Sequence, residues 1–111
     1  MKLNTILAAA GMFVALSLGN AFAADAQPNY EKHCMKCHGK DGKGATKMGR
    51  QSGVKDYTDP KVQADMKDEE AIKAIRGGMK DGSKEKMKPY GGVLSDDEIR
   101  ALVAYMRSFK K

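Results

Sequence analysis

Both cysteines of this 111-residue chain lie in one five-residue stretch, Cys34-Met35-Lys36-Cys37-His38, together with one of its two histidines. This C-x-x-C-H spacing constrains the chain more than its composition does, because it is a haem attachment signature. On a helical turn, side chains at i and i+3 share a face about 5 to 6 Å apart, so Cys34 and Cys37 can each form a thioether with neighbouring vinyl groups of one porphyrin. His38 then falls beneath the iron and supplies a proximal axial ligand. The expected cofactor is one covalent haem c with its iron.

Other readings of the cysteine pair are weaker. A thiol–disulfide exchange motif usually opens a helix in a strand-rich chain, and no strand-like alternation appears nearby. Half of a zinc site would need a second Cys or His pair, and only His33 is left over. A structural disulfide would suit an exported chain, but His38 directly after the pair favours haem. His33 falls off the cysteine face of a helix and reads as a solvated surface residue.

Export is expected from the first residues. Lys2 precedes an uncharged apolar run from Ile6 to Leu18, and Ala21 and Ala23 fit the A-x-A cleavage rule, which puts the cut after Ala23, with a cut after Ala24 as the alternative. Residues 1–23 then form a cleaved signal peptide and residues 24–111 a single domain, periplasmic and without stable membrane insertion, since the apolar run is short for a span of about 20 residues. The domain keeps 19 basic and 14 acidic residues, a net charge of +5. So small a domain buries little apolar surface, and a haem would add to its core.

A first helix is expected over Pro28 to Lys36, stopped by Gly39, with Tyr30 on the face of Cys34 as a core aromatic. Gly39 to Asp59 reads as an irregular loop, too long for a small domain unless it wraps something other than protein. Lys40, Lys43, Lys47 and Arg50 make it basic against Asp41 and Asp56. Val62 to Met66 is weakly marked as a turn or short helix. Asp68 reads as an N-cap for a helix over about 69 to 76 that ends at Gly77-Gly78 and buries Ala71, Ile72 and Ile75. Met79 to Gly92 reads as a second irregular basic loop. The last helix has the clearest signals: Ser95 and Glu98 form a capping box, Leu94 and Ile99 a hydrophobic staple, and Ile99, Leu102, Val103 and Met106 an apolar stripe broadened by Tyr105 and Phe109.

What fills the sixth iron position separates an electron carrier from a reactive haem. Met35 sits within the attachment turn, Met106 belongs to the last helix, and nothing fixes Met48 or Met66 near the iron. Met87 stands in a loop two residues before Pro89, whose fixed φ stiffens the backbone, and is favoured as the distal ligand. Met79, directly after the helix-stopping glycines, is the fallback.

The order of these signals resembles a class I monohaem cytochrome c of the small bacterial kind, over nearly all of residues 27–111. It runs from an aromatic four residues before Cys34, through C-x-x-C-H-G and Met87 near Pro89, to Leu94-Ser95-Asp96-Asp97-Glu98-Ile99 leading into the last helix. The resemblance implies an all-α cytochrome c fold, three to four short helices and irregular loops around one haem, with the first and last helices crossing beside it and His38 and Met87 as axial ligands. Two features depart from the family pattern. No proline occurs between His38 and Pro60 to orient the proximal histidine, so the acceptor for its far nitrogen is unassigned, and Lys88 separates Met87 from Pro89.

The function expected is a monomeric electron carrier, not an enzyme, that meets redox proteins through acidic docking surfaces. Nucleic acid is not an expected partner, because the lysines are scattered through loops with no interleaved aromatics. The rivals are a haem enzyme or gas sensor with a labile sixth ligand, and a cytochrome subunit of a larger oxidoreductase.

Overall fold

The computed structural model describes residues 18–111, with side chains from residue 26 onward. Lys2 and all but the last residue of the apolar run from Ile6 to Leu18 lie outside the described residues. Among the described residues, six helices and one β-hairpin come in the order α1 (Leu18–His33), α2 (Met35–His38), α3 (Lys47–Ser52), α4 (Pro60–Asp65), α5 (Asp68–Gly77), β1 (Met79–Asp81), β2 (Lys84–Met87) and α6 (Asp96–Arg107).

Helix α1 starts ten residues before the expected Pro28 and carries that proline inside it. Ala21, Ala23, Ala24 and Ala26 precede it, and alanine has the highest helix propensity. The expected single helix through Lys36 is broken at Cys34. There Cys34 N–H still donates to Tyr30 C=O at 2.8 Å, but Cys37 N–H turns to Cys34 C=O at 3.3 Å. Gly39, at φ 81°, ends α2 as expected.

The stretch from Gly39 to Asp59 is not wholly irregular. Thr46 caps α3 by accepting from Gly49 N–H, and left-handed Gly53 closes it. The weakly marked stretch after it forms α4, where Asp59 accepts from Lys61 N–H at 2.9 Å and Pro60 takes the first helical position, which needs no N–H. Asp68 is not the N-cap of α5. Lys67 holds that place without a side-chain bond, and the Asp68 carboxylate instead receives Arg107 from α6, with Nη2 at 2.7 Å and Nε at 3.0 Å.

The second loop also holds regular structure, because β1 and β2 pair antiparallel around a two-residue Gly82-Ser83 turn. Gly82, at φ 61°, suits the first position of a II′ hairpin turn. Met79 faces Met87 while Lys80 faces Glu85, so Lys86 is the extra residue of a β-bulge.

Helix α6 forms as its sequence signals require. Ser95 Oγ accepts from Glu98 N–H at 3.1 Å, and Glu98 returns an acceptor to Ser95 N–H at 2.9 Å. Its stripe of Ile99, Leu102, Val103 and Met106 is buried with Tyr30, Cys34, Ala71, Ile72, Ile75, Tyr90 and Leu94 in one core. Helix α6 packs on α1 and α5, while α2 packs on α3. Fully burying a side chain such as Leu102 contributes about 1.5–3 kcal/mol. Tyr30, also fully buried, stacks obliquely on Tyr105 and Phe109 at centroid distances of 5.0 and 5.3 Å. Asn29 donates to Glu98 at 2.9 Å, joining α1 to the start of α6. No helix among the described residues is long and apolar enough to cross a membrane.

Candidate haem site

The carbonyls of Cys37, His38 and Gly39, at the end of the attachment turn, each have a partner. Thr46 Oγ1 donates to Cys37 C=O at 2.7 Å, Gly44 N–H to His38 C=O at 2.8 Å, and the Tyr30 hydroxyl to Gly39 C=O at 2.5 Å. These bonds supply the donors that carbonyls at a helix end need and hold the turn in place. Gly49 makes the arrangement possible. A Cβ there would stand 2.3 Å from Cys37 C=O and 2.5 Å from Gly44 C=O, both backbone atoms.

Cys34 and Cys37 are both free thiols, Cys34 buried and Cys37 partly so. Burial, reinforced by Cys37, pushes the Cys34 thiol up to about 11. Catalytic exchange cysteines have depressed values that favour the thiolate, and Cys34 is shifted the opposite way. Burial lowers the basicity of His38 and keeps the imidazole neutral, the form that donates a lone pair to a metal. Its ring lies 5.5 Å from that of Tyr57. Among the described residues, Nδ1 of His38 is the buried side-chain nitrogen or oxygen without a hydrogen-bond partner. The acceptor that sequence left unassigned is thus still missing. A metal-ligating histidine ordinarily donates its second ring N–H to a carbonyl, carboxylate or water, and none among the described residues accepts from Nδ1.

The two methionine candidates face each other across the hairpin but differ in environment. Met79 is 53% exposed, whereas Met87 is half-buried and packs against the core cluster that includes Cys34. The bulge at Lys86 shifts the alternation of β2 immediately before Met87, and bulges commonly re-aim a side chain beside a functional site. Among the remaining methionines, Met48 is exposed, Met66 and Met35 lie at the edge of the core, and Met106 is inside it. A hollow of about 580 Å³ opens next to the turn, lined by Gly39, Lys40, Asp41, Ala45 and Thr46, and contains neither His38 nor Met87.

Residues 21–106 match the family described as cytochrome C oxidase, cbb3-type, subunit III. The chain is a small c-type cytochrome of that family. A solved structure of the KustC0563 c-type cytochrome is similar at 37% identity and a TM-score of 0.69, covering 78% of this chain and 99% of its own. A tyrosine-to-phenylalanine mutant of Kustc0563 is similar at 35% identity and a TM-score of 0.66, with the same coverage. No curated protein matches the chain. Haem c with its iron is therefore the covalent cofactor of this cytochrome, and the free thiol pair, neutral imidazole and apolar surroundings fit it. The mainly helical cytochrome c fold is as expected, with the hairpin added.

Several residues that build the site carry little warning in the sequence, where Tyr57 reads only as a polar donor in the wrapping loop with solvation favoured. Tyr57 stands beside His38, and Tyr90 donates through its hydroxyl to His33 C=O at 2.9 Å. His33 is consequently not a free surface residue. It is half-buried, with its ring edge-on to Tyr90 at 5.4 Å. Gln63, 4% exposed, donates to Tyr57 C=O at 2.7 Å and to Met106 C=O at 2.9 Å.

Proposed function

We propose that this cytochrome is an exported one-electron carrier in which Cys34 and Cys37 hold the haem and His38 and Met87 are the axial ligands of its iron. The observation that carries the reading is the contrast between the paired methionines: Met87 packs on the cluster that contains Cys34, and Met79 faces solvent. When bound, the haem supplies a one-electron iron couple. The protein's part is to hold that couple in a fixed, dry setting. Cys34 and Cys37 anchor the group, His38 presents a neutral nitrogen from a rigid turn, and the soft Met87 thioether favours the reduced state. Were His38 and Met87 both to hold the iron, no position on it would be left for a substrate, as a carrier rather than an enzyme requires.

Export is supported by the charged start, apolar run and small residues before Ala24, which also set the domain at residues 24–111. Redox proteins are the partners that a c-type cytochrome implies, and acidic docking surfaces and a monomeric state belong to the same reading. The hairpin exposes Lys80, Lys84 and Lys88, with Lys86 partly covered. Asp81 lies opposite Lys84 and 3.7 Å from Lys86, and Glu85 lies opposite Lys80, which leaves the face with a modest excess of positive charge.

Replacing Met87 with alanine tests the ligand set. The variant is expected to lose the sulfur-to-iron charge-transfer band of the ferric protein and to bind carbon monoxide when reduced, while the same change at Met79 leaves both properties intact. A Met87→Ala protein that keeps the band refutes the assignment. A wild-type protein that binds carbon monoxide readily supports a gas-binding or enzymatic haem instead.

A further inference from the structure

The break between α1 and α2 leaves the His33 carbonyl outside the helical ladder, because Cys37 N–H bonds to Cys34 instead. A carbonyl stranded at a helix end needs another donor. The Tyr90 hydroxyl supplies it at 2.9 Å, from a side chain that is only 6% exposed. The acceptor is the residue directly before Cys34. The donor is three residues beyond Met87.

Tyr90 is held from other directions as well. Its N–H donates to Ile75 C=O at 2.9 Å, and Gly91 N–H donates to Arg76 C=O at 3.1 Å, so the segment takes up carbonyls at the end of α5. Its own carbonyl accepts from Val93 at 2.9 Å and Leu94 at 2.8 Å, at the lead-in to α6. One residue therefore joins α1, α5 and the approach to α6, and Pro89 stiffens the path from it back to Met87.

A second fixed point lies between Met87 and Tyr90. Gly78, at φ 75°, has the Met87 carbonyl so close that a Cβ would meet it at 2.6 Å, with Pro89 N at 2.9 Å and the Lys88 carbonyl carbon at 3.1 Å. All three are backbone atoms, so they cannot swing aside. Beyond these points the hairpin tip is exposed and held by a short ladder.

We propose that Tyr90 is a positioning residue that ties the Met87 segment to the haem-attachment turn, and that its hydroxyl, with the close seat of Gly78, sets how readily the sixth iron position opens to an external ligand. The proposal rests on Met87 being the sixth ligand. Opening requires the Met87 segment to move away from the turn, and the Tyr90–His33 bond runs directly across that separation. Losing one hydrogen bond of ordinary strength makes the open state about fivefold more populated.

The test follows carbon monoxide binding to the reduced, haem-loaded protein, in wild type, Tyr90→Phe, Gly78→Ala and Met87→Ala, with Ser95→Ala as a control that loses the N-cap of α6, at a cost like that of one hydrogen bond. Tyr90→Phe keeps the ring and removes only the hydroxyl. It is expected to bind carbon monoxide about fivefold faster than wild type and faster than Ser95→Ala, while retaining the ferric charge-transfer band. Gly78→Ala is expected to approach Met87→Ala. A Tyr90→Phe rate within about twofold of wild type, or no higher than that of Ser95→Ala, overturns the proposal while Met87→Ala still binds freely. If Met87→Ala itself stays inert to carbon monoxide and keeps the band, the ligand assignment falls, and the tether falls with it.

Discussion

Replacing Gln63 with leucine keeps nearly the same volume and removes every polar atom of a side chain that joins three parts of the fold. Its Nε2 donates to Tyr57 and Met106 carbonyls, and its Oε1 accepts from Arg107 Nη1 at 3.1 Å. The three bonds do not count equally. Met106 C=O also receives Phe109 N–H at 3.2 Å, and Arg107 keeps Gln63 C=O at 2.6 Å and the Asp68 carboxylate. Tyr57 C=O has no other donor among the described residues. The loss is therefore dominated by one stranded carbonyl, at about 1–3 kcal/mol. A midpoint of about 2 kcal/mol corresponds to a melting temperature lower by roughly 8–16 °C for a domain of this size. With a urea slope of about 2 kcal/mol/M, the unfolding midpoint falls by about 1 M. Far-UV circular dichroism of the haem-loaded variant reads both quantities. A loss below about 0.5 kcal/mol, the range of ordinary surface changes, would refute the view that this amide is what holds Tyr57 in place beside His38.

Gly49→Ala is expected to lower stability more than Gly53→Ala in thermal melts. The first drives a methyl group into the Cys37 and Gly44 carbonyls, whereas the second meets open space and carries only the left-handed strain of about 1–2 kcal/mol. The Glu98 carboxyl is held below the usual carboxylate range by the Ser95 backbone N–H, then by Asn29 and the Ser95 hydroxyl. Its contribution is complete above the unfolded value of about 4.3 and is lost as pH falls through the lower folded value, so urea midpoints of wild type and Glu98→Gln converge under acid. Stopped-flow electron transfer to an acidic redox protein should slow as salt rises, because exposed charges are screened beyond about 10 Å at 0.1 M. A rate independent of ionic strength removes the charged docking surface.

The sequence signals that succeeded were those in which chemistry and position coincide within a few residues. The attachment motif needs only its own spacing, and the Ser95–Glu98 box with the stripe behind it specifies a helix start and a buried face together. Helix α3 escaped because six residues are too few for a periodic pattern, although Thr46 and Gly53 cap its ends. The hairpin escaped because its Asp81-Gly82 corner is flanked by lysine and glutamate instead of alternating apolar residues. Asp68 carried the composition of a cap, but a long-range partner, Arg107, claimed its carboxylate, and local patterns do not report such partners. Tyr90, Gln63 and Gly78 were illegible for the same reason. Their roles depend on carbonyls brought to them by packing, and a carbonyl has no letter in the sequence.

The bulged hairpin has a consequence for how such a chain can diversify. Its turn at Gly82-Ser83 is exposed, while Met87 sits at the opposite end of the ladder beside Gly78. Residues at the tip can be exchanged, lengthened or recharged without disturbing the close approach of the Met87 carbonyl to Gly78. On the proposed ligation by Met87, the docking surface and the poise of the redox couple would then vary independently within one segment of nine residues from Met79 to Met87.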